Sequence, residues 1–292
     1  MTLSLSDYDC FVFDCDGVLW HGESPIEGAI ETVRKLKAAG KHVYFVTNAS
    51  KRSQVTVYEK FIRLGFDGVD LHDVYPSGYF AAAYLRETYP NAERLYVIGG
   101  AGLVEELTLK GFHVQGGPAD TDYTDVTEEN FKVMADQTGQ YDGVVVGFDS
   151  GFNYMKLCKA SLALQSNPDS FLCATNEDSH LQVGRFAMPG NGSMATILKY
   201  CMETACKPVR KYIVTGKPDP RIIDFVLGKC GVEKARCVMI GDRLDTDIQL
   251  ANNAGIKGCM VLTGCSTIEE ICDSTAKPDY VAQSVAVLLK DD

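Results

Sequence analysis

The chain is 292 residues long, 46% hydrophobic and 23% charged, which excludes a disordered or fibrous polymer and provides apolar mass for two lobes. Its formal net charge of −11 disfavours nucleic acid and anionic membrane surfaces as partners. No apolar run approaches the ~18 residues of a membrane span, no basic-then-apolar leader opens the chain, and the cysteines form no C-x-x-C pair, so a soluble cytoplasmic protein with reduced thiols is expected.

Taken in chain order, short apolar runs predict strands over residues 10–13, 42–46, 95–98, 143–148, 171–174, 212–214, 238–240 and 259–262. Helical periodicity occupies 26–39, 51–64, 153–165, 193–204, 219–227 and 245–253, the last closing at Gly255. Strands that alternate with helices in this way form a parallel sheet covered on both faces, so the expected fold is α/β with a doubly wound, Rossmann-like core. Four predicted strands end in polar or glycine-rich stretches: FDCDGV, VTNAS, VTGKPDP and IGDRLDTD. Residues 81–186 have their own strand and helix pattern without such endings. They are expected to be an inserted α/β cap, leaving 1–80 and 187–292 as the catalytic core.

Ligands of open α/β sheets gather beyond the carboxyl ends of the strands. The residues expected there fit phosphoryl transfer by a covalent route, which requires a nucleophile, a proton shuttle and positive electrostatics around the transferred group. Asp14 can attack phosphorus as a carboxylate, and Asp16, on the same side of an extended chain, can serve the leaving oxygen. Gly17 lets the backbone turn there. Two such carboxylates repel when both are ionised, so the second, Asp16, is expected to hold a proton part of the time, as suits an acid that then becomes the base. Asp242 adds a third acid, and a hard cation such as magnesium suits the set. Asp245 and Asp247 follow at a helix start, where Asp245 is read first as a cap of backbone amides and Asp247 as a partner for metal-bound water. Thr47 and Asn48 offer a hydroxyl and an amide to phosphate oxygens, Cys15 its backbone N–H, and Lys217 a compact positive charge. In the cap, His180 and Arg185 are candidates to read the organic part of a substrate, with an ordinary surface role as the alternative.

These stretches resemble the haloacid dehalogenase-type phosphatases, and within them the 4-nitrophenylphosphatase and phosphoglycolate phosphatase group. D-x-D-G-[TV] matches Asp14 to Val18, the Thr/Ser motif matches Thr47, the lysine motif matches Lys217 in GKPDP, and G-D-x-x-x-x-D matches Gly241 to Asp247. DCDGVLW, FVTNAS, VGFDSGFNYMKL and GDRLDTDI extend the likeness over nearly the whole chain. The resemblance implies an aspartyl-phosphate on Asp14, Asp16 acting as acid and then base, and magnesium held by Asp14, Asp242 and the backbone carbonyl of Asp16. It further implies a homodimer formed through the cap. The substrate would be a small phosphorylated metabolite, 2-phosphoglycolate first, with pyridoxal 5'-phosphate as the alternative and 4-nitrophenyl phosphate as an artificial substrate.

Other classes remain as rivals. A phosphomutase would share the core, and a non-catalytic phospho-ligand binding protein could keep the cradle but would have no need of Asp14. A receiver-type domain would need neither Asp16 nor a second lobe. Two motif matches are set aside. Cys230 to Arg236 has the C-x5-R spacing of cysteine phosphatases but stands after a helix and before a strand, the reverse of the required order. Gly100 and Gly102 lack the third glycine of a dinucleotide loop.

Overall fold

The computed structural model describes residues 3–121, 126–137, 139–184, 186–205 and 211–289. Two compact units are present, one made of Met1–Thr47, Gln54–Pro76 and Lys217–Asp292, the other of Asn48–Ser53 and Ser77–Gly216.

The first unit is built on six parallel strands in the order Tyr280–Ala282, Lys257–Val261, Cys237–Gly241, Cys10–Phe13, His42–Thr47, Val74–Pro76. Numbered along the unit this is the 3-2-1-4-5-6 order of a doubly wound fold, read from its other edge. Alternate residues of the central strands, Phe11, Phe13, Phe45, Val238 and Ile240, pack with Val33, Leu36, Val57 and Phe61 of two helices, Ala29–Ala38 and Gln54–Arg63. Their neighbours Cys10, Val12, Val46 and Met239 are equally buried. Burial on both faces explains why these strands are continuous apolar runs in the sequence.

The second unit repeats the plan with five parallel strands in the order Tyr212–Val214, Phe171–Ala174, Gly143–Val146, Arg94–Ile98, His113–Gly116, the 2-1-3-4-5 arrangement. On one face Leu95, Val97, Val145 and Cys173 meet Ala81, Leu85, Leu103 and Leu107. On the other, Ile98, Val144, Val146 and Leu172 meet Ala160, Leu164, Leu198 and Met202. A hairpin, His180–Val183 with Phe186–Pro189, leaves Val183, Phe186 and Met188 exposed.

The expected division at 80/81 and 186/187 is corrected by this packing. Helix Ser77–Thr88 and helix Asn191–Ala205 bury their apolar sides on the second sheet, and strand Tyr212–Val214 pairs with Phe171–Ala174 there. The return to the first unit therefore comes at Lys217. Helix 51–64 is also shorter than its periodicity suggests, beginning at Gln54 because Asn48–Ser53 packs in the second unit.

Candidate active site

Strands Cys10–Phe13 and Cys237–Gly241 are neighbours from the two ends of the chain, and between them the sheet order reverses. The crevice beyond such a reversal is where open α/β sheets bind ligands, because the following loops diverge to opposite faces. Asp14 and Asp242 are the first residues past these strands, and the Asp14 N–H still donates to the Ile240 carbonyl at 2.9 Å. Lys217 is ion-paired with Asp14 and lies 2.7 Å from Asp247. One carboxylate oxygen from each of Asp14, Asp242 and Asp247 falls within 4.8 Å of the others. Thr47 ends the strand on the other side of Cys10–Phe13 and is buried.

The cluster has an electrostatic deficit. Asp14, Asp242, Asp247 and Lys217 are all buried, so with all three carboxylates ionised one buried ammonium would leave two negative charges in the cluster unmatched. Burial pushes the Asp14 carboxyl well up; Lys217 opposes the rise, and Asp247 and Asp242 add to it. Asp242 is raised to about 6, by burial first and then by Asp247. Burial works against the Lys217 ammonium, but Asp14 and Asp247 outweigh it and hold the lysine charged.

The individual oxygens differ in what they already bind. Oδ2 of Asp247 accepts the N–H groups of Asp242 and Arg243 at 3.1 Å each, and its Oδ1 faces Lys217. Asp242 receives the Cys265 N–H on Oδ2 at 2.7 Å, while its buried Oδ1 has no hydrogen-bond partner among the described residues. Space around Asp242 is kept by glycine: a Cβ on Gly17, at φ +85°, would come 2.6 Å from the carboxylate, and one on Gly264 would overlap it. A buried orphan oxygen beside excess negative charge fits a hard divalent cation, which prefers carboxylate oxygens and neutralises them.

Two family models match, one described as haloacid dehalogenase-like hydrolase over residues 11–113 and one as HAD-hydrolase-like over 214–288. Phosphoglycolate phosphatase 2 of Arabidopsis thaliana is 39% identical over 97% of this chain and 92% of its own length. The chain belongs to the haloacid dehalogenase-like hydrolases. Glycerol-3-phosphate phosphatase of Gallus gallus is likewise 39% identical, over 98% of this chain and 92% of its own. The solved 4-nitrophenylphosphatase of Thermotoga maritima superposes with a TM-score of 0.81 at 29% identity, covering 97% of each chain. This haloacid dehalogenase-like hydrolase is thus a phosphatase of phosphoric monoesters.

The remaining predicted residues of the hydrolase are distributed unevenly. Asp16 projects outward, 63% exposed, and its Oδ1 accepts the Trp20 indole N–H at 2.8 Å. Cys15 is buried, and burial, then Asp14 and Asp16, push its thiol up and keep it neutral. Asp245 does not cap a helix: it pairs with Arg243 at 2.7 Å, and the amides are taken by Asp247 instead. Asn48 and His180 belong to the second unit, where the Asn48 amide donates to Asp178 at 2.7 Å and His180 Nδ1 contacts Ser179 Oγ. Arg185 lies outside the described residues. Strand 212–214, expected to deliver Lys217 from the core sheet, belongs to the second sheet, so Lys217 is presented by a loop. Lys60 was marked by no motif. The available signal was a lysine on the buried side of helix Gln54–Arg63, in line with Val57 and Phe61.

The set-aside C-x5-R match is accounted for. Cys230 ends helix Arg221–Cys230, its thiol is raised by burial, and Arg236 is engaged with Asp9. Among the described residues no helix is long and apolar enough to cross a membrane.

Proposed function

We propose that this phosphatase hydrolyses small phosphomonoesters in two steps through an aspartyl-phosphate on Asp14, with magnesium as its metal. In the first, an Asp14 oxygen bonds to phosphorus, the ester P–O bond breaks, and Asp16 gives its proton to the departing alkoxide. In the second, Asp16 takes a proton from water, the water oxygen bonds to phosphorus, and the Asp14 O–P bond breaks, releasing phosphate. Lys217 holds the nucleophile and balances phosphate charge, and Thr47, with the Cys15 and Asp16 backbone, binds phosphate oxygens. The ion would be held by Asp14, the free Oδ1 of Asp242 and the backbone carbonyl of Asp16, while Asp247 fixes Lys217 and the 242–243 backbone. When bound, it supplies positive charge against the phosphate and the carboxylates.

The observation that carries this reading is the buried set of three carboxylates and one lysine at the reversal of the first sheet, two charges short of neutrality when the acids are ionised. For the substrate, 2-phosphoglycolate is the first choice, supported by the Arabidopsis relative; the equal identity of the Gallus relative supports glycerol 3-phosphate as the second reading. Pyridoxal 5'-phosphate has the same monoester end and belongs in the same trial. The second unit acts as the specificity cap, with His180 and Arg185 reading the organic group, and its exposed apolar hairpin fits a homodimer contact. Among the described residues the cysteines form no disulfide, in keeping with a cytoplasmic location.

The test is phosphate release from a panel of phosphorylated metabolites with added magnesium, repeated with chelator. Turnover of one of the three named esters, abolished by chelator and restored by magnesium, is expected. Full activity in excess chelator would remove the metal, and failure on all three esters would remove the substrate assignment.

A further inference from the structure

Among the described residues, the Asp16 side chain is held at Oδ1 only. The turn after Asp14 is closed by Gly17 N–H to the Trp20 carbonyl at 2.8 Å and Leu19 N–H to the Cys15 carbonyl at 2.8 Å, which returns the Trp20 indole to the Asp16 side chain four residues back. The indole N–H meets Oδ1 at 2.8 Å. Lys60 approaches the same Oδ1 to 3.7 Å and stands 4.2 Å from the centroid of the Trp20 ring. Its side chain is only 4% exposed. An ammonium so buried requires negative charge or a π-face near it, and here it has both. Phe61 at 4.8 Å and Phe66 at 5.9 Å pack edge-on against the indole and fix its plane. The core of the first unit thus reaches out through Lys60 and Trp20 to one oxygen of an otherwise exposed carboxylate.

We infer that Lys60 and Trp20 are positioning residues for Asp16: by occupying Oδ1 with a positive charge and an N–H donor, they leave Oδ2 as the oxygen that carries the shuttled proton and direct it at the leaving group. The inference rests on the reading of Asp16 as acid and base. A proton on Oδ1 would compete with the indole N–H and face the ammonium, so it is excluded there. Oδ2 has neither restraint. Neither Lys60 nor Trp20 touches the phosphate in this scheme; both act through Asp16.

The leaving group separates this role from a merely structural one. 4-Nitrophenolate departs without a proton, whereas an alkoxide such as that of glycerol 3-phosphate needs one, so a defect confined to proton delivery affects the alkyl ester alone. The experiment measures kcat/KM for 4-nitrophenyl phosphate and for the best alkyl ester, in wild type, Asp16→Asn, Lys60→Met, Lys60→Arg, Trp20→Phe and Asp16→Asn/Lys60→Met. We expect Lys60→Met to lose about 10- to 100-fold on the alkyl ester and less than about threefold on the aryl ester. Trp20→Phe should lose in the same direction and less, and Lys60→Arg should recover most of the loss. The double variant should match Asp16→Asn to within about threefold, because residues acting through one group are not additive. If Lys60→Met does not fold, Trp20→Phe gives the same comparison. Equal losses on both esters in folded Lys60→Met or Trp20→Phe, with Asp16→Asn still discriminating between them, would overturn the inference and leave the Asp16 assignment standing. An Asp16→Asn enzyme that treats both esters alike would overturn the assignment itself, and the inference with it.

Discussion

The two units solve the same folding problem and use the result differently. Each is a parallel sheet whose order reverses between two central strands, and each reversal creates a crevice. In the first unit the crevice is lined by Asp14 and Asp242, with more negative charge than the protein itself balances. In the second, the corresponding loops are Gly99 to Gly102 after strand Arg94–Ile98 and Gly147 to Asp149 after strand Gly143–Val146, and the chain's own segment Asn48–Ser53 packs against them. Gly102 donates its N–H to the Lys51 carbonyl at 3.1 Å, the Phe148 N–H goes to Ser50 Oγ at 2.9 Å, and a Cβ on Gly100 would stand 2.6 Å from Lys51 Cγ. The glycines that look like a nucleotide loop are there to admit this segment. Topology supplies a crevice, and the chemistry depends on whether uncompensated charge or the protein's own backbone fills it.

Four substitutions bear on that contrast. Asp14→Asn should reduce phosphate release by on the order of 10^4-fold or more while removing one buried negative charge, so the protein should melt no lower than wild type in chelator. A folded Asp14→Asn enzyme with normal turnover would mean the charged crevice is not the site of chemistry.

The charge deficit also predicts a pH dependence. Asp242 sits at about 6 against an ordinary 3.8, so between those values the folded chain retains a proton that the unfolded chain gives up. Without a divalent ion, stability should therefore be intact below about pH 4 and fall as the pH rises through about 6, by roughly 3 kcal/mol from this group. Buried Asp14 acts in the same direction. Asp242→Asn should remove its part of the slope, and magnesium should reverse it in wild type, most strongly at the higher pH; melting temperatures across pH 4–8, with and without chelator, measure both. Parallel curves for wild type and Asp242→Asn would refute the deficit.

In the second unit, Gly102→Val would push a side chain into the Arg52–Ser53 backbone and should cost about 1–3 kcal/mol, read as a lower denaturant midpoint. Unchanged stability, or stabilisation of the wild type by a nucleotide, would show that this crevice is not closed by its own chain. The smallest effect is expected of Cys230→Ser, which should keep turnover within about twofold because a half-buried neutral thiol outside the crevice is inert.

Much of this was legible from the residues. Periodicity located the central strands because strands covered on both faces must be continuously apolar, and the polar endings of three of them marked Asp14, Thr47 and Asp242. Asp14 and Asp242 are separated by most of the chain yet become neighbours, because adjacent parallel strands place their following loops side by side. The unit boundaries were not legible, since Ser77–Thr88 and Asn191–Ala205 have apolar sides that suit either sheet and only packing chose the second. The same is true of strand Tyr212–Val214, whose three residues carry no mark of the sheet they join.

The sequence by itself determined the chemistry class: which acids, which lysine and which strand endings exist, because these are properties of residue type and spacing. Only the tertiary structure decided how each group is used. It gave Asp247 to Lys217 and two backbone amides, left one oxygen of Asp242 unsatisfied, closed the second crevice with residues 48–53, and brought Lys60 to Asp16. Those outcomes depend on burial and on contacts between segments far apart in the chain, and neither is contained in a local run of residues.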